Sequence, residues 1–139
     1  MSGFAPRFDG YAAKVRESFS RQALMTTFGA EMRNIAPGRC VIAAPVTGAV
    51  TQQHGVAHAG LTFALGDSAA GYAALTLMDE AAEVLTVEMK INLLAPATGP
   101  ALVATGEVVR AGRRLVVVRA EVTGETGPVA LLQGTMIPV

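Results

Sequence analysis

One carboxylate stands out because it lies alone in a long apolar stretch. Between Cys40 and Met78, Asp67 is the only Asp, Glu, Lys or Arg residue. Burying a lone carboxylate is costly unless it is paired or protonated, and Asp is a poor residue for the middle of a helix. Exposure to a solvent-filled cleft is the structural alternative. The pattern favours a functional carboxylate, either a general base with a raised pKa or a nucleophile with a low one.

The loop before this stretch supplies groups that complement a carboxylate. Residues 55–60 lead into a predicted helix, whose first N–H groups and positive dipole end can polarise a carbonyl and hold an oxyanion. Gln52 adds an uncharged amide nearby. Asp67, two helical turns further along, could reach the same carbonyl carbon from across an interface. Loop, amide and acid together indicate chemistry at a carbonyl group.

The two histidines, His54 and His58, have the four-residue spacing of zinc-binding helices. The acidic residue next to the first histidine of that motif is absent, and there is no cysteine cluster. We therefore expect no metal site, and a structural or hydrogen-bonding role for His58 at the helix start. The sequence also contains no Gly-rich phosphate loop and no Gly-x-Ser-x-Gly motif.

Three arginines, Arg110, Arg113 and Arg114, cluster about a predicted hairpin tip. They either form a solvated turn or contact an anionic group such as a nucleotide phosphate. The residues alone leave both interpretations open.

Hydrophobic periodicity and turn signals predict the elements that position these residues. Residues 8–28 have the spacing of an amphipathic helix, and the apolar segment that ends near Met78 is too long for one strand and favours a buried helix. Segments rich in β-branched residues between turn signals predict strands. These strands cover residues 30–35, 40–46, 84–94, 102–110, 115–123 and 129–137.

The order of the elements indicates an α+β fold. A helix, two strands, a long apolar helix and four strands contain no repeated β–α alternation. Short connections predict that the last four strands form an antiparallel meander. A helix that is apolar on every face must be covered on every face, which a curved antiparallel sheet wrapped around it would achieve. We expect a single domain over residues 1–139, with residues 1–28 as an N-terminal helical extension.

Composition narrows the class of function. Of 139 residues, 51% are hydrophobic and 16% are charged, which favours a homo-oligomer. Eleven basic residues balance eleven acidic ones, which argues against nucleic-acid binding. The single cysteine, Cys40, excludes an internal disulfide and favours a reducing cytoplasm. We also expect no signal peptide and no membrane span.

Residues 52–74 (QQHGVAHAGLTFALGDSAAGYAA), followed by residues 85–97 (LTVEMKINLLAPA), resemble the hotdog-fold acyl-CoA thioesterases of the phenylacetate-degradation type. The family motif has a polar amide residue, a short loop with Gly, His-Gly-Gly, and an Asp on the central helix. A strand that ends in a Pro-containing turn follows. The resemblance extends from about Gly29 to the C-terminus, and it implies a curved antiparallel sheet wrapped around a long central helix.

The resemblance implies a role for individual residues. Asp67 falls on the nucleophile or general base, and Gln52 on the amide that holds the carbonyl or the water. Thr86 falls on the hydroxyl that orients water, and the backbone N–H of Ala59 on the oxyanion donor. Ala59 departs from the middle Gly of the motif, which keeps the N–H but adds a methyl group that could narrow the acyl site. The implied substrate and CoA contacts are His58, Gly60, Arg110, Gly112, Arg113 and Arg114.

In the family the site spans two subunits. The resemblance therefore implies a homodimer, or a dimer of dimers, in which Gln52 and Ala59 of one chain complete a site with Asp67 and Thr86 of the other. The implied reaction is hydrolysis of an acyl-CoA thioester to a carboxylic acid and free CoA, with no cofactor besides the CoA of the substrate.

Two alternatives stay open beside hydrolysis. A hotdog hydratase or dehydratase would pair a carboxylate with His54 or His58. A non-catalytic acyl-CoA-binding module would bind the ester without turnover, although such modules tend to lose the helix carboxylate. The sequence identifies neither the acyl chain nor the choice between nucleophile and general base.

Overall fold

Three α-helices and six strands form residues 3–139, the part of the chain that this computed structural model describes. Helix α1 spans Tyr11–Ser20, α2 spans Ala23–Phe28 and α3 spans Ala59–Leu75, with a short 3-10 turn at Gly48–Val50 before α3. The predicted single N-terminal helix is two helices, because Gln22 has an extended backbone (φ −82°, ψ 96°). None of the helices in this part of the chain is long and apolar enough to cross a membrane.

All six strands belong to one antiparallel sheet. They are β1 Glu31–Ala36, β2 Arg39–Pro45, β3 Val84–Leu93, β4 Ala101–Ala111, β5 Val116–Gly124 and β6 Gly127–Pro138. Their order across the sheet is β1-β2-β4-β5-β6-β3. The predicted α+β class and the long central helix are confirmed.

The prediction of a four-strand meander is wrong for β3. Strands β4, β5 and β6 are consecutive neighbours, but β3 pairs with β6, with Ile91 opposite Leu132. The place beside β4 is taken by β2, with Cys40 opposite Gly106. Local strand signals do not specify such non-local pairings. As a result, β3 lies at an edge of the sheet and one side of it is unpaired within the described chain.

Helix α3 packs against the inner face of the curved sheet. Leu61, Leu65 and Leu75 on this helix are at most 2% exposed. Gly106 on β4 permits a direct contact between backbones, because a Cβ there would lie 2.2 Å from the carbonyl carbon of Ala69. The small residues of α3 therefore serve close packing, as the sequence predicts.

Within a single subunit, the sheet does not cover every side of α3. The prediction that the helix is covered on every face is therefore wrong for one chain. Gly60 and Phe63 are exposed, and Asp67 is only partly buried. Their spacing of three and four residues places them on one stripe of the helix. This open stripe and the free edge of β3 are available to a second copy of the chain.

The N-terminal helices pack against the C-terminal half of α3. Val15 and Met25 are buried in the core, and the ring of Phe19 meets the ring of Tyr72 edge-on with centroids 6.0 Å apart. The ammonium group of Lys14 donates to carbonyl oxygens in the loop after α3, including that of Glu80 at 2.6 Å. These contacts bring the N-terminal segment close to the middle of α3.

Candidate active site

Asp67 lies in the middle of α3 and directs its carboxylate towards β3. Thr86 donates a hydrogen bond from Oγ1 to Oδ1 of Asp67 at 2.8 Å. Burial raises the pKa of Asp67, and the hydrogen bond from Thr86 opposes that rise. No Lys, Arg or His of residues 3–139 forms an ion pair with this carboxylate. The structure thus brings the predicted Asp67 and Thr86 together.

Asp67 and Thr86 border a cavity of about 280 Å³. Its other walls come from the N-terminal segment, α3 and β6. The polar residues among them are Ser18, Gln22, Ser68 and Tyr72. Ser18 and Gln22 were not identified from the sequence, because they belong to no chemical motif and only the tertiary fold brings them to α3. The extended backbone at Gln22, which separates α1 from α2, is the one local feature at these residues, and it does not indicate a functional role for them.

Helix α3 begins at Ala59, and His58 is its N-cap. The Nδ1 atom of His58 accepts a hydrogen bond from the Gly60 N–H at 2.7 Å, which agrees with a hydrogen-bonding role for His58 at the helix start. The N–H of Ala59, at the exposed first position of the helix, has no acceptor within residues 3–139. It is a free donor at the positive end of the helix dipole.

A second cavity, of about 710 Å³, contains Gln52 and Ala59. The loop that carries Gln52 is closed by hydrogen bonds from its N–H to Val56 O at 2.9 Å and from the Gly55 N–H to Gln52 O at 3.0 Å. Gly55 has φ 84°, a left-handed conformation that suits glycine. The Oε1 atom of Gln52 accepts from the His54 N–H, which fixes the amide at the mouth of this cavity.

The two cavities lie at opposite ends of one side of the subunit. Ala59 and Asp67 are eight residues apart on α3, which is about 12 Å along the helix axis. On β3, Thr86 borders the first cavity and Leu93 the second, about 23 Å apart along the strand. One carbonyl carbon therefore cannot meet both the Ala59 N–H and the Asp67 carboxylate of the same chain.

The three arginines lie around the turn between β4 and β5. Arg110 is near the end of β4, Arg113 and Arg114 are in the turn, and all three are exposed. The N–H of Gly112 donates to Leu115 O at 2.9 Å and closes the turn. A Cβ at Gly112 would lie 2.7 Å from that oxygen, so the turn requires glycine.

The turn that carries Arg110, Arg113 and Arg114, which we call the arginine turn, is level with Thr86 on the sheet. Ala111 is opposite Val116, Val116 is opposite Met136, and Met136 is opposite Thr86. Three strand spacings of about 4.8 Å separate Ala111 from Thr86, about 14 Å in all. The turn is therefore nearer to the Asp67 cavity than the sequence separation suggests.

Neither a metal cluster nor a reactive thiol is found in residues 3–139. No group of three or more His, Cys, Asp or Glu side chains in this range is placed to hold a metal ion. Cys40 is buried in the core, and burial raises the pKa of its thiol to about 12. Asp67 is therefore the candidate for covalent or acid–base chemistry at this site.

Comparison with known proteins agrees with the fold. The family pattern described as the thioesterase superfamily matches residues 54–131. The chain belongs to the thioesterase superfamily. The solved structure of a thioesterase family protein from Silicibacter pomeroyi is similar to it, with a TM-score of 0.91 and 45% identity over 94% of this chain and 98% of that one. The predicted hotdog thioesterase fold and thioester hydrolase class are confirmed.

Two relatives of this thioesterase have names that describe hydrolases. A Saccharolobus solfataricus protein, named as an esterase, is 36% identical over 88 residues, or 63% of this chain and 62% of that protein. The chain thus matches less than two thirds of that relative's length. The 1,4-dihydroxy-2-naphthoyl-CoA hydrolase of Listeria monocytogenes is 29% identical over 103 residues, which cover 74% of this thioesterase and 84% of the relative.

A protein from a phenylacetic acid degradation operon also shares this fold. The E. coli PaaI protein, from the phenylacetic acid degradation operon, has a TM-score of 0.85 to this thioesterase at 22% identity, over 93% of each chain. At that identity the likeness shows a common fold. The roles assigned to individual residues stay predictions.

Proposed function

We propose that this protein hydrolyses an acyl-CoA thioester to a carboxylic acid and free CoA at a site completed by two subunits. The observation that carries the proposal is the location of the two cavities. A free N–H donor and a carboxylate, two groups suited to thioester hydrolysis, lie on α3 about 12 Å apart along the helix axis, in cavities at opposite ends of β3. They are too far apart to act together within one chain. A second copy can bring them together.

Antiparallel pairing of β3 with β3 of a second copy joins the two cavities. A two-fold axis through the middle of the strand sets the start of one β3 beside the end of the other, and it generates two identical sites. The Asp67 cavity of one subunit then faces the Ala59 cavity of its partner. The side chains of Leu85, Val87 and Leu93 on β3 are each more than half exposed in the single chain, and an apolar edge strand of this length calls for a partner.

The chemistry at such a site follows from its groups. The Ala59 N–H of one subunit donates to the thioester carbonyl oxygen and stabilises the negative charge that develops there. Asp67 of the other subunit either attacks the carbonyl carbon, releasing CoA and forming an anhydride that water cleaves, or takes a proton from the water that attacks. Thr86 orients the carboxylate, and both routes require that Asp67 be ionised.

The arginine turn supports CoA as the thiol component. Arg110, Arg113 and Arg114 present three exposed guanidinium groups, which pair well with phosphates. The turn lies level with Thr86 on the sheet, so a substrate whose carbonyl is at Asp67 can extend its phosphates towards it. The Listeria relative is named as a CoA hydrolase, which agrees with this class of substrate.

Neither alternative function is favoured by a specific contact. A hydratase would pair a histidine with a carboxylate, but neither His54 nor His58 forms an ion pair with an Asp or Glu side chain of residues 3–139. A binding module has no need of a partly buried carboxylate whose pKa is raised, and Asp67 is present. Hydrolysis uses the Asp67 carboxylate and requires no catalytic histidine.

The proposed assembly is a homodimer, or a dimer of such dimers, with no cofactor beyond the CoA of its substrate. The dimer is the smallest unit that contains a complete site. A cytoplasmic location is proposed because Cys40 is a free thiol and no disulfide is possible in a chain with one cysteine.

An acyl-CoA screen tests the proposed function. Purified protein is incubated with acetyl-, butanoyl-, octanoyl- and benzoyl-CoA, and the released thiol is measured with a chromogenic reagent while the acid is identified by mass. We expect at least one ester to be hydrolysed with kcat/KM of about 10⁴ M⁻¹ s⁻¹ or more. Tight binding of every ester without thiol release would indicate a binding module, and loss of an enoyl-CoA absorbance without thiol release would indicate a hydratase.

Thr86→Val is expected to lower kcat/KM about tenfold and to move the acidic limb of the pH–rate profile to higher pH. The Thr86 hydroxyl lowers the pKa of Asp67, so its loss leaves the effect of burial unopposed and raises that pKa further. Because the ionised carboxylate is the active form, activity disappears as the pH falls through this pKa. Initial rates between pH 4 and pH 8 measure the limb.

Thr135→Val is the matched control for this prediction. Thr135 lies on the outer face of β6, where its hydroxyl bonds to Glu88 Oε1 at 2.7 Å. The acidic limb of the pH–rate profile of this control is expected to lie at the same pH as that of the wild type. A Thr86→Val profile that coincides with the wild type would contradict the assigned role of the hydroxyl.

A further inference from the structure

Four polar side chains form one side of the Asp67 cavity, and we call Ser18, Gln22, Ser68 and Tyr72 the polar wall. The Nε2 atom of Gln22 donates to Tyr72 Oη at 3.1 Å, and Ser68 Oγ donates to Gln22 Oε1 at 3.2 Å. The hydroxyl of Ser18 lies 3.2 Å from Tyr72 Oη. The Gln22 amide is therefore held at both its nitrogen and its oxygen.

The amide of Gln22 keeps capacity for a ligand. A primary amide can donate two hydrogen bonds and accept two, and the contacts within residues 3–139 use one of each. Tyr72 is itself fixed, because it is 6% exposed and its ring packs against Phe19. This held amide, which lines the cavity, thus keeps one donor and one acceptor for a ligand at little further cost in side-chain entropy.

We propose that the polar wall determines acyl specificity, and that Gln22 binds the oxygen of a short acyl group that carries a hydroxyl or oxo substituent. The inference rests on the proposed function, because it takes Asp67 as the residue at which the thioester carbonyl is held. The enzyme therefore prefers hydroxyacyl- and oxoacyl-CoA esters to unsubstituted esters of the same length.

The position of the wall fits a substituent close to the carbonyl. Ser68, which bonds to Gln22, is the residue next to Asp67 on α3. Because Gln22 and Asp67 line the same cavity, a substituent a few atoms from the carbonyl carbon can reach the amide. The cavity of about 280 Å³ brings Asp67 and the polar wall into one space.

The two kinds of ester are discriminated by whether the acyl group leaves the hydrogen-bonding groups of Gln22 with or without partners. An unsubstituted chain displaces water from Gln22 and leaves a donor and an acceptor without partners, whereas an oxygen substituent replaces that water. A site built to bond a polar group rejects the analogue that lacks it. We expect kcat/KM to differ about tenfold between the two members of a matched pair, chiefly through KM.

The test uses two matched pairs, butanoyl-CoA with 3-hydroxybutanoyl-CoA and pentanoyl-CoA with 4-oxopentanoyl-CoA. Wild type, Gln22→Met and Gln133→Met are compared in kcat and KM. Methionine keeps the length of glutamine without its amide, and Gln133 is an exposed glutamine on the outer face of β6. We expect Gln22→Met to reduce the preference for the substituted ester to near unity, and Gln133→Met to retain it.

The outcomes separate the inference from the proposed function. Active wild type with no preference in either pair, or a folded Gln22→Met that keeps the wild-type ratio, overturns the inference alone. Wild type that hydrolyses no acyl-CoA overturns the proposed function and the inference with it. If Gln22→Met fails to fold, Tyr72→Phe removes one anchor of the amide while keeping the ring, and it is expected to reduce the ratio about threefold. An unchanged ratio in Tyr72→Phe overturns the inference in that case.

Discussion

Asp67→Asn is expected to lower kcat/KM for acyl-CoA hydrolysis by about a thousandfold or more, without loss of the fold. Asparagine has nearly the shape of aspartate and can still accept the hydrogen bond that Thr86 donates at 2.8 Å. It can neither attack a carbonyl carbon as a carboxylate nor take a proton from water. The loss therefore reports chemistry rather than packing.

The same substitution is expected to keep or increase thermal stability. Burial raises the pKa of Asp67 in the folded protein above its value in the unfolded chain, ordinarily about 3.9. The folded state then binds more protons than the unfolded state in the pH range between these two values, so the contribution of Asp67 to stability falls as the pH rises through them. At pH 7 the ionised carboxylate is a cost, which asparagine removes. We expect Tm to be unchanged or to rise by up to about 3 °C.

Kinetics and calorimetry on the same preparation test both parts of this prediction. Asp9→Asn is the control, because Asp9 is exposed and outside both cavities. It is expected to match the wild type in rate and in Tm. Turnover close to wild type in Asp67→Asn would refute the assignment of the carboxylate. A large drop in Tm would instead indicate a structural role.

Ala59→Pro is expected to reduce kcat/KM by about 10²- to 10³-fold, the usual loss when an oxyanion donor is removed. Proline removes the N–H that we assign to the oxyanion, and it adds its ring at an exposed position. The first helical position tolerates proline well, and the preceding His58 already has the extended backbone (φ −64°, ψ 142°) that a residue before proline requires. Because the Ala59 N–H has no acceptor within residues 3–139, the change breaks no hydrogen bond there.

Ala59→Gly is the matched control for this change. Glycine keeps the N–H and restores the residue found in the family motif, so activity is expected to stay within about threefold of the wild type. Circular dichroism and kinetics compare the two variants. Equal activity of Ala59→Pro and Ala59→Gly would exclude this N–H as the oxyanion donor.

Mixing the two inactive variants tests whether the site is shared between subunits. A heterodimer of Asp67→Asn and Ala59→Pro has one site with both defects and one intact site. Random exchange after co-expression is therefore expected to restore about a quarter of wild-type activity, since half of the dimers are mixed and each has one active site. If the site were contained within one chain, no combination of these variants would regain activity.

Much of the fold was predictable because its signals are local. The strand segments and the apolar helix follow from periodicity and residue type, and the structure places them within a few residues of the predicted bounds. Asp67 was identified as an isolated charge, and His58 as a residue of the helix start. The family motif added the pairing of Asp67 with Thr86, which the structure shows as a hydrogen bond.

The tertiary structure alone decided how these parts are arranged. Placing β3 beside β6 depends on contacts between residues about 40 positions apart, such as Ile91 and Leu132, and no local pattern encodes them. The same holds for Gln22, which reaches Ser68 only because the N-terminal helices pack on α3. The sequence by itself predicted which residues could carry the chemistry of a thioesterase, because their types and their match to the family motif are local features. Only the tertiary structure sets two cavities at opposite ends of an open edge strand, and this arrangement is the basis of our proposal that one chain is insufficient.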